Sequence, residues 1–484
     1  MLWFALILSD LPLQVFTRGV DEPGELAVVE HSPGARVVAA TAAARARGVE
    51  AGQNVAGALA VAPALQLRER DAALEAATLA EFAAWATQFT PCVSIDPPDG
   101  LVLETSGSLR LFGGVTGLVR RIRAGLAPLG LDAAIAAAPT PLAARWLARM
   151  HPGRQLPSAA EWWRKLDDLP VELLGDGAEV SRATLELLHG IGARRLGDVA
   201  RLPRDGLARR QASVVLDTLA RARGERPDPR PWFLPPERFE ARLVLPASML
   251  HTEPLLFAAG RLFSGLSAWL AARHAALDRC RLHLEHEGRP DTVLEIVTGT
   301  PGRDDGRLLM LAREHLAALE LPAPVDALRL LADNPVVTPG RTQDLFGDPH
   351  SARDAAALLL DRLRARLGRE AVRTVHPVSE HRPERAWRLA DPGRPAPRNT
   401  PPAAGPRPLW LMNEPRPLES IRALTLLNGP ERIESGWWDG ADVHRDYYVA
   451  RAPDAALWWV FEQLDPPGGW YVPASYTHLT LPTN

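Results

Sequence analysis

The chain has 484 residues, of which 46% are hydrophobic and 23% charged, and its formal net charge is −3. This length exceeds one core and predicts about three or four domains, while the charge argues against indiscriminate coating of nucleic acid without excluding a local basic patch. The sequence has no run of about 20 apolar residues that would predict a membrane span, and its two cysteines, Cys92 and Cys280, fit a reducing cytoplasm.

The first 165 residues alternate predicted strands and helices. The apolar opening LWFALIL lacks a basic leader, so we expect a buried first strand rather than a signal peptide. The elements that follow are predicted strands at 25–30, 101–105 and 131–138 and predicted helices at 73–89, 115–130 and 140–150. The sequence VVAATAAARARGV, which begins at Val37, is predicted to lead into helix. This alternation is typical of a layered α/β domain.

Residues 166–235 are predicted to be helical, and residues 236–337 to form a compact α+β domain. From position 239 the predicted order is strand, helix, strand, strand, helix, strand, with the helix at 253–277. The two middle strands are close enough in sequence to pair as a hairpin around Gly288.

The rest of the chain differs in composition. Residues 338–408 form a Pro- and Arg-rich linker around one predicted helix, 351–368, and residues 409–474 form a small aromatic-rich module. The last ten residues, SYTHLTLPTN (475–484), resemble a translated sequencing adapter, so we expect that the native C-terminus is missing.

The stretch LHGIGARRLGDV, which begins at Leu188, holds a Gly-Ile-Gly turn between two predicted helices. Such a turn allows a phosphate to approach the backbone, and we expect its amide groups to face outward. Residues 182–230 contain 11 arginines and 6 acids. We therefore predict contacts to the DNA backbone from five residues of the turn: Gly190, Ile191, Gly192, Arg194 and Arg195. The alternative is a plain helical hairpin with a solvated arginine face.

A helix-hairpin-helix between an α/β domain and a β-α-β-β-α-β block is the domain order of the Y-family translesion DNA polymerases, which residues 1–335 resemble. The segment 37–67 resembles their fingers, and APTPLAARWLAR (138–149) resembles a late palm helix that carries a lysine toward the triphosphate. The resemblance implies palm and fingers at 1–165, a helix-hairpin-helix thumb at 166–235 and a little finger at 236–337.

The catalytic acids of that family have no complete counterpart in this chain. Two-metal nucleotidyl transfer needs carboxylates that hold two cations about 4 Å apart. The first strand ends LILS without an acid, and Asp10 comes only after it. In VSIDPPDGLVLE, which begins at Val93, Pro98 stands at the second acidic position and Asp99 at the third. The resemblance thus implies an incomplete metal site.

The basic positions that face the triphosphate in that family are partly retained. Arg45 and Arg145 match two of them, and Pro141 replaces another. We expect a vestigial site of Asp99, Arg45 and Arg145, with Asp99 lacking partners, no bound metal or cofactor, and no polymerase activity. The alternative is an active, distributive polymerase in which Asp10, Asp96 and Asp99 converge within about 4–6 Å.

The aromatic-rich module resembles the tail of a non-catalytic member of the family that belongs to a bacterial damage-inducible mutagenesis cassette. The matching stretches are GPERIESGWWDG (429–440), HRDYYVA (444–450) and LWWVFEQL (457–464). The predicted partner-binding residues are Trp437, Trp438, Tyr447 and Tyr448. The aromatics could also fill a small core, and both interpretations can hold. The resemblance implies two protein partners, an error-prone C-family DNA polymerase and a RecA-like protein.

The stretch RTQDLFG, which begins at Arg341, is similar to peptides that bind the β sliding clamp. Its predicted contacts are Gln343, Leu345 and Phe346, although Thr342 occupies the place of the usual first glutamine. The alternative is a linker stretch that the Leu-Phe pair holds against the neighbouring domain.

These features predict a multidomain α/β and α+β protein without catalytic activity. It would act in the cytoplasm, away from membranes, in damage-induced (SOS) translesion synthesis and mutagenesis, as a scaffold that binds primer–template DNA and the sliding clamp. A third hypothesis is a pure protein-interaction scaffold that no longer touches DNA.

Overall fold

The computed structural model describes residues 1–32, 34–156, 161–176, 180–209, 213–337, 351–392, 407–408 and 410–476. The chain divides into two compact units, Met1–Arg366 and Leu367–Asn484.

The first 150 residues form two small sheets with helices packed on them. The elements are β1 (Trp3–Ile7), α1 (Leu11–Thr17), β2 (Leu26–Val29), β3 (Val37–Ala40), α2 (Ala42–Ala46), α3 (Val55–Val61), β4 (Gln66–Glu69), α4 (Ala72–Ala86), β5 (Val93–Asp96), β6 (Gly100–Glu104), α5 (Gly114–Leu129), β7 (Ala134–Ala138) and α6 (Pro141–Met150).

The N-terminal sheet has the strand order β5-β6-β1-β7 and is antiparallel throughout. Every residue of β1 is buried, because Phe4 and Leu6 face one apolar core while Ala5 and Ile7 face another. A strand covered on both faces needs apolar residues at every position. This explains the continuous apolar run at the start of the chain.

The second sheet has the order β3-β2-β4, with β2 and β4 parallel. The stretch from Val37 leads into helices α2 and α3 as predicted, but its first four residues pair with β2 as a strand before α2 begins. The side chains of Thr41 and Asn54 cap α2 and α3, accepting hydrogen bonds from the amides of Ala44 (3.3 Å) and Gly57 (2.7 Å).

The described residues between 161 and 223 are mostly helical, as the sequence predicts. Two 3₁₀ turns, Trp162–Leu166 and Val171–Gly175, precede α7 (Arg182–Gly190), α8 (Leu196–Ala200), α9 (Arg204–Arg209) and α10 (Ser213–Arg223). Apolar side chains of this region, among them Leu188, Leu196 and Val199, share a core with Trp146 of α6 and with β1. The helical region is therefore packed directly on the N-terminal sheet.

The middle sheet follows the predicted order strand, helix, strand, strand, helix, strand. Its elements are β8 (Phe239–Met249), α11 (Thr252–Ala272), β9 (Ala275–His286), β10 (Arg289–Gly302), α12 (Asp305–Ala317), β11 (Val325–Ala332) and the short β12 (Val336–Val337), and α13 (Ser351–Leu367) follows. The antiparallel strand order is β10-β9-β11-β8.

The helix predicted to reach position 277 ends five residues earlier. His274 adopts a positive φ of 51° and breaks the helix, and Ala275 and Ala276 begin β9, where they pair with β12. Among the described residues, α11 is the one helix long and apolar enough to cross a bilayer. Its apolar side chains, such as Phe263 and Leu266, lie in the core of the middle sheet.

A buried ion pair connects the middle sheet to the helices of the first domain. Arg18 Nη2 lies 2.9 Å from Glu81 Oε2 and also donates to the carbonyl of Arg242 in β8 (3.0 Å). The amide of Arg242 in turn donates to Glu81 Oε1 (3.2 Å). Polar groups of three segments thus bond to one another inside an otherwise apolar contact, although Arg18 Nε is buried without a hydrogen-bond partner.

The second unit is a β structure. Its elements are β13 (Thr374–Pro377), a 3₁₀ turn (Pro383–Arg385), β14 (Trp387–Ala390), β15 (Arg416–Leu418), β16 (Thr425–Ser435), β17 (Val443–Arg451), β18 (Leu457–Gln463) and β19 (Gly469–Tyr476). The C-terminal sheet is antiparallel in the order β15-β19-β18-β17-β16, and β13 and β14 form a separate hairpin.

Candidate active site and the surfaces around it

The stretch VSIDPPDG forms a tight hairpin between β5 and β6, and Asp96 pairs with Gly100 at its end. The amide of Leu8 donates to the carbonyl of Asp99 (2.8 Å), so the end of β1 lies beside this turn. Leu8 is fully buried. An apolar residue therefore stands beside Asp99 where a metal site would need a second carboxylate.

Asp99 does have a partner, contrary to the expectation from the sequence. Both of its oxygens bind the guanidinium of Arg149 on α6, Oδ1 at 2.7 Å from Nη2 and Oδ2 at 3.0 Å from Nη1. This fork-to-fork arrangement is the strongest form of an arginine–carboxylate contact. It uses the same oxygens that a cation would need.

Asp96 is paired as well, with two arginines at once. Its Oδ1 lies 3.0 Å from Arg145 Nη1 and 2.9 Å from Arg230 Nη1. Burial raises the pKa of Asp96, and the positive charges of Arg145 and Arg230 act in the opposite direction. Arg145 itself is 5% exposed, so it is enclosed among acids rather than held out toward a substrate.

Asp176, just before α7, joins the two arginines of α6. Its Oδ2 lies 2.9 Å from Arg145 Nε and 2.6 Å from Arg149 Nε, and its carbonyl accepts a further bond from Arg145. Arg145 and Arg149 are four residues apart, one helical turn. This spacing, which is visible in the sequence, places Arg149 beside Arg145, although we did not predict Arg149 as a site residue.

Asp10 and Arg45 lie in a separate pair. Asp10 precedes α1 with a positive φ of 57°, its side chain is half exposed, and Arg45 Nη1 lies 3.6 Å from its Oδ2. Within the described parts of the chain, no group of three or more His, Cys, Asp or Glu side chains is placed to hold a metal ion. The residues present do not fit the two-metal site that the resemblance to polymerases implies.

The Gly-Ile-Gly turn lies between α7 and α8 as predicted. Gly192 has a φ of +87°, and an added Cβ at Gly190 or Gly192 would meet open space, so an approaching backbone has room here. Ile191 is partly exposed beside them.

The amide groups of this turn do not face outward as expected. The amides of Ile191, Gly192 and Ala193 donate to carbonyls of α7. The amides of Arg194 and Arg195 both donate to Asp198 Oδ2 (3.1 and 3.0 Å), which lowers the pKa of that carboxyl. The guanidinium groups of these two arginines are also engaged, Arg194 with His189 Nδ1 (2.8 Å) and Arg195 with Asp168 (3.0 Å), so a phosphate would compete with these contacts.

The helical region is less basic than the turn suggests. Residues 166–235 contain 11 arginines and 11 acids, because five further acids lie between 167 and 179. Several of these pairs are formed, for example Arg195 with Asp168 at 3.0 Å and Arg223 with Asp167 at 2.5 Å. The excess of positive charge is therefore confined to residues 182–230 and disappears over the whole helical region.

Arginines on the exposed face of the middle sheet form ion pairs with acids of the same sheet. Arg242 lies 2.8 Å from Glu285, and Arg329 lies 2.8 Å from Asp291 and 3.1 Å from Glu285. Two further arginines of β9 are paired as well, Arg279 with Glu295 at 3.6 Å and Arg281 with Asp333. Such a face offers little net attraction to a phosphate backbone.

The aromatic residues of the second unit fall into two groups. Trp437 and Trp438 are 77% and 59% exposed and pack edge to face at the turn between β16 and β17. Tyr448 is half-buried against Trp470. The prediction of Tyr447 as a partner-binding residue is wrong, because it is 2% exposed and stacks on Trp459 with ring centroids 4.4 Å apart.

The turn that carries the two exposed tryptophans is braced from below. The side chain of Arg382 is 2% exposed, forms a two-bond contact with Asp439 (2.7 and 3.0 Å), and lies beneath the ring of Trp438. The clamp-like residues Gln343, Leu345 and Phe346 lie outside the described residues.

Comparison with known proteins gives three findings. The model of the impB/mucB/samB family (IMS) matches residues 22–149. The chain is 29% identical over 452 residues to Protein ImuB from two strains of Caulobacter vibrioides, an alignment that covers 86% of this chain and 96% of the relative. Solved structures similar to it include DinB from Sulfolobus solfataricus (17% identity, TM-score 0.39) and a post-insertion binary complex of Dbh DNA polymerase (15%, 0.40), each covering 70% of this chain and 100% of the other.

The family match covers residues 22–149, and the similarity to Protein ImuB extends over 86% of the chain. These matches support an ImuB-like homologue of the Y-family DNA polymerases.

Proposed function

We propose that this protein is a non-catalytic, cytoplasmic scaffold for damage-induced translesion synthesis, which holds DNA and the sliding clamp while another polymerase extends the primer. The observation that carries the proposal is the pairing of Asp99 with Arg149 through both oxygens. Together with Leu8 and Pro98 at the other acidic positions, it removes the carboxylates that two-metal catalysis requires.

DNA contact is the second part of the proposal and is supported by the open Gly-Ile-Gly turn and the exposed side chain of Arg195 beside it. We expect binding to primed DNA to weaken with salt, and the Arg194→Ala/Arg195→Ala variant to reduce the slope of log K against log [salt] by about 2. Arg182→Ala, on the exposed start of α7 and paired with Glu186, is the matched control.

A scaffold that does not touch DNA is the second candidate. It is favoured by the equal numbers of arginines and acids in 166–235 and by the ion-paired face of the middle sheet. Equilibrium binding at two salt concentrations separates the candidates. Binding with a salt slope that depends on Arg194 and Arg195 supports the first, and absence of binding at low salt supports the second.

The protein partners in our proposal are the β sliding clamp, an error-prone C-family polymerase and a RecA-like protein. We expect Leu345→Ala/Phe346→Ala to abolish clamp capture and leave polymerase capture unchanged. Trp437→Ala/Trp438→Ala should do the reverse, because exposed aromatic pairs on a rigid turn are favoured binding anchors. Trp387→Ala is the control, since this tryptophan is also exposed (48%) but lies on the separate β13–β14 hairpin.

A further inference from the structure

The ion pairs around Asp96 extend beyond the N-terminal sheet into two other segments. Asp96 and Asp99 lie on the β5–β6 hairpin, Arg145 and Arg149 on α6, and Asp176 before α7. Arg230 also lies 2.7 Å from Asp228, and Arg221 of α10 lies 3.9 Å from the other oxygen of Asp228. We call these eight residues, four acids and four arginines, the arginine joint.

The segment that follows α10 leads to the middle sheet and passes over this joint. We call residues 228–236 the tether. Arg230 reaches from the tether to Asp96, and three residues later the amide of Phe233 donates to the carbonyl of Val93 in β5 (2.7 Å). Trp232 stacks on Trp3 with ring centroids 5.9 Å apart and planes 12° from parallel. The tether is thus attached to the N-terminal sheet at three points, two on the edge strand β5 and one on the interior strand β1.

Burial decides how much each ion pair contributes. Asp96 is 3% exposed, and the side chains of Arg145 and Arg230 are 6% and 16% exposed, so solvent screens these contacts far less than the surface pairs of the same region. Removing Asp96 breaks two of these buried contacts at once, while Arg145 keeps its contact with Asp176 and Arg230 keeps its contact with Asp228. The contact between Asp96 and Arg230 is therefore the joint's main hold on the tether.

We propose that Asp96 is a positioning residue. The arginine joint fixes the tether and the helical region against the N-terminal sheet. Guanidinium groups lie among the carboxylates, in the positions that metal ions would occupy in a two-metal site. The consequence is a helical region and a middle sheet presented in one fixed arrangement. This role goes beyond the scaffold function and requires neither DNA nor a partner for its test.

Hydrogen exchange of the full-length chain tests the joint at the Phe233 amide. We expect Asp96→Asn, which keeps the shape and removes the charge, to raise exchange at Phe233 about tenfold to a hundredfold, the loss expected when a hydrogen bond to a charged group is weakened. Arg230→Gln should produce the same increase from the tether side and serves if Asp96→Asn fails to fold. Arg149→Gln, which contacts Asp99 and Asp176 but not the tether, should leave Phe233 unchanged.

Two results would overturn the proposal. One is exchange at Phe233 within about twofold of the natural chain in both Asp96→Asn and Arg230→Gln. The other is an equal increase at Phe233 and at core amides of β11, such as Leu330, which would show a general loss of stability rather than release of the tether. A selective increase at the tether supports the joint.

Discussion

Replacing Arg18 by methionine should destabilise the first unit through the buried carboxylate of Glu81. The change keeps most of the side-chain volume and removes the charge that faces Glu81 at 2.9 Å. Removing one member of a buried ion pair costs about 3–5 kcal/mol. Glu81 keeps 18% of its side-chain exposure and the hydrogen bond from Arg242, so we expect the lower end, a loss of about 3 kcal/mol in the free energy of unfolding.

The loss should depend on pH in a defined direction. Burial raises the pKa of Glu81, and Arg18 counteracts that increase. Without Arg18 the folded state favours the protonated carboxyl, so the deficit is full above the folded-state pKa and shrinks as the pH falls toward the ordinary pKa of a glutamate. The deficit should therefore be larger at neutral pH than at mildly acidic pH.

Urea unfolding of the full-length chain, followed by pulse proteolysis, measures this unit without assuming that the whole chain unfolds in one step. Glu81→Gln and the Arg18→Met/Glu81→Gln double variant complete a cycle, in which we expect a coupling energy of about 1–3 kcal/mol. A loss below about 1 kcal/mol in Arg18→Met, or no coupling in the cycle, would refute the reasoning.

Three further predictions follow from shifted pKa values. Burial raises the pKa of the Cys280 thiol to about 12, so iodoacetamide should modify Cys92 well before Cys280 in the native chain; mass spectrometry that found equal modification would contradict this. Burial also raises the pKa of Tyr447 to about 12, so Tyr447→Phe should remove the last phenol to ionise in a spectrophotometric titration, and loss of an earlier one would count against it. Hydrogen bonds from Arg382 lower the pKa of Glu380 to about 2, so its stabilising contribution is complete above the ordinary glutamate pKa and is lost as the pH falls toward about 2. Acid unfolding, followed by tryptophan fluorescence, should show that Glu380→Gln lacks this pH-dependent loss of stability. An unchanged acid transition in the variant would contradict the prediction.

Much of the fold was predictable because its signals are local. The apolar run of β1, the helical spacing of α4 and the strand–helix order of the middle sheet depend on residues close in sequence. The resemblance to the Y-family polymerases, based on domain order and the C-terminal stretches, is confirmed by the family match and by the similarity to Protein ImuB.

The errors occurred where tertiary contacts decide the outcome. The alternation in β17 shows that Tyr447 and Tyr448 face opposite sides of the sheet, but not which side is covered. The end of α11 depends on the pairing of Ala275 and Ala276 with β12, about 60 residues away in sequence. Propensity for helix at Ala275 was overruled by that pairing.

In the candidate site, too, the local features were predictable from the sequence and the tertiary contacts were not. The lack of an acid in the first strand is visible in the sequence, and Arg149 lies one helical turn from Arg145 on the same helix. The contacts of Asp96 with Arg230 and of Arg149 with Asp99 span 134 and 50 residues. No local pattern specifies them, so the sequence predicts the loss of a metal site but not the ion pairs that occupy its place.

The most direct test of the central claim is primer extension by the purified full-length chain. The assay uses primed template, all four deoxynucleotides, and Mg²⁺ or Mn²⁺, with Asp99→Asn as the matched control. Our account predicts no extension by the natural chain above the level of Asp99→Asn with either metal. Extension by the natural chain that Asp99→Asn abolishes would contradict it.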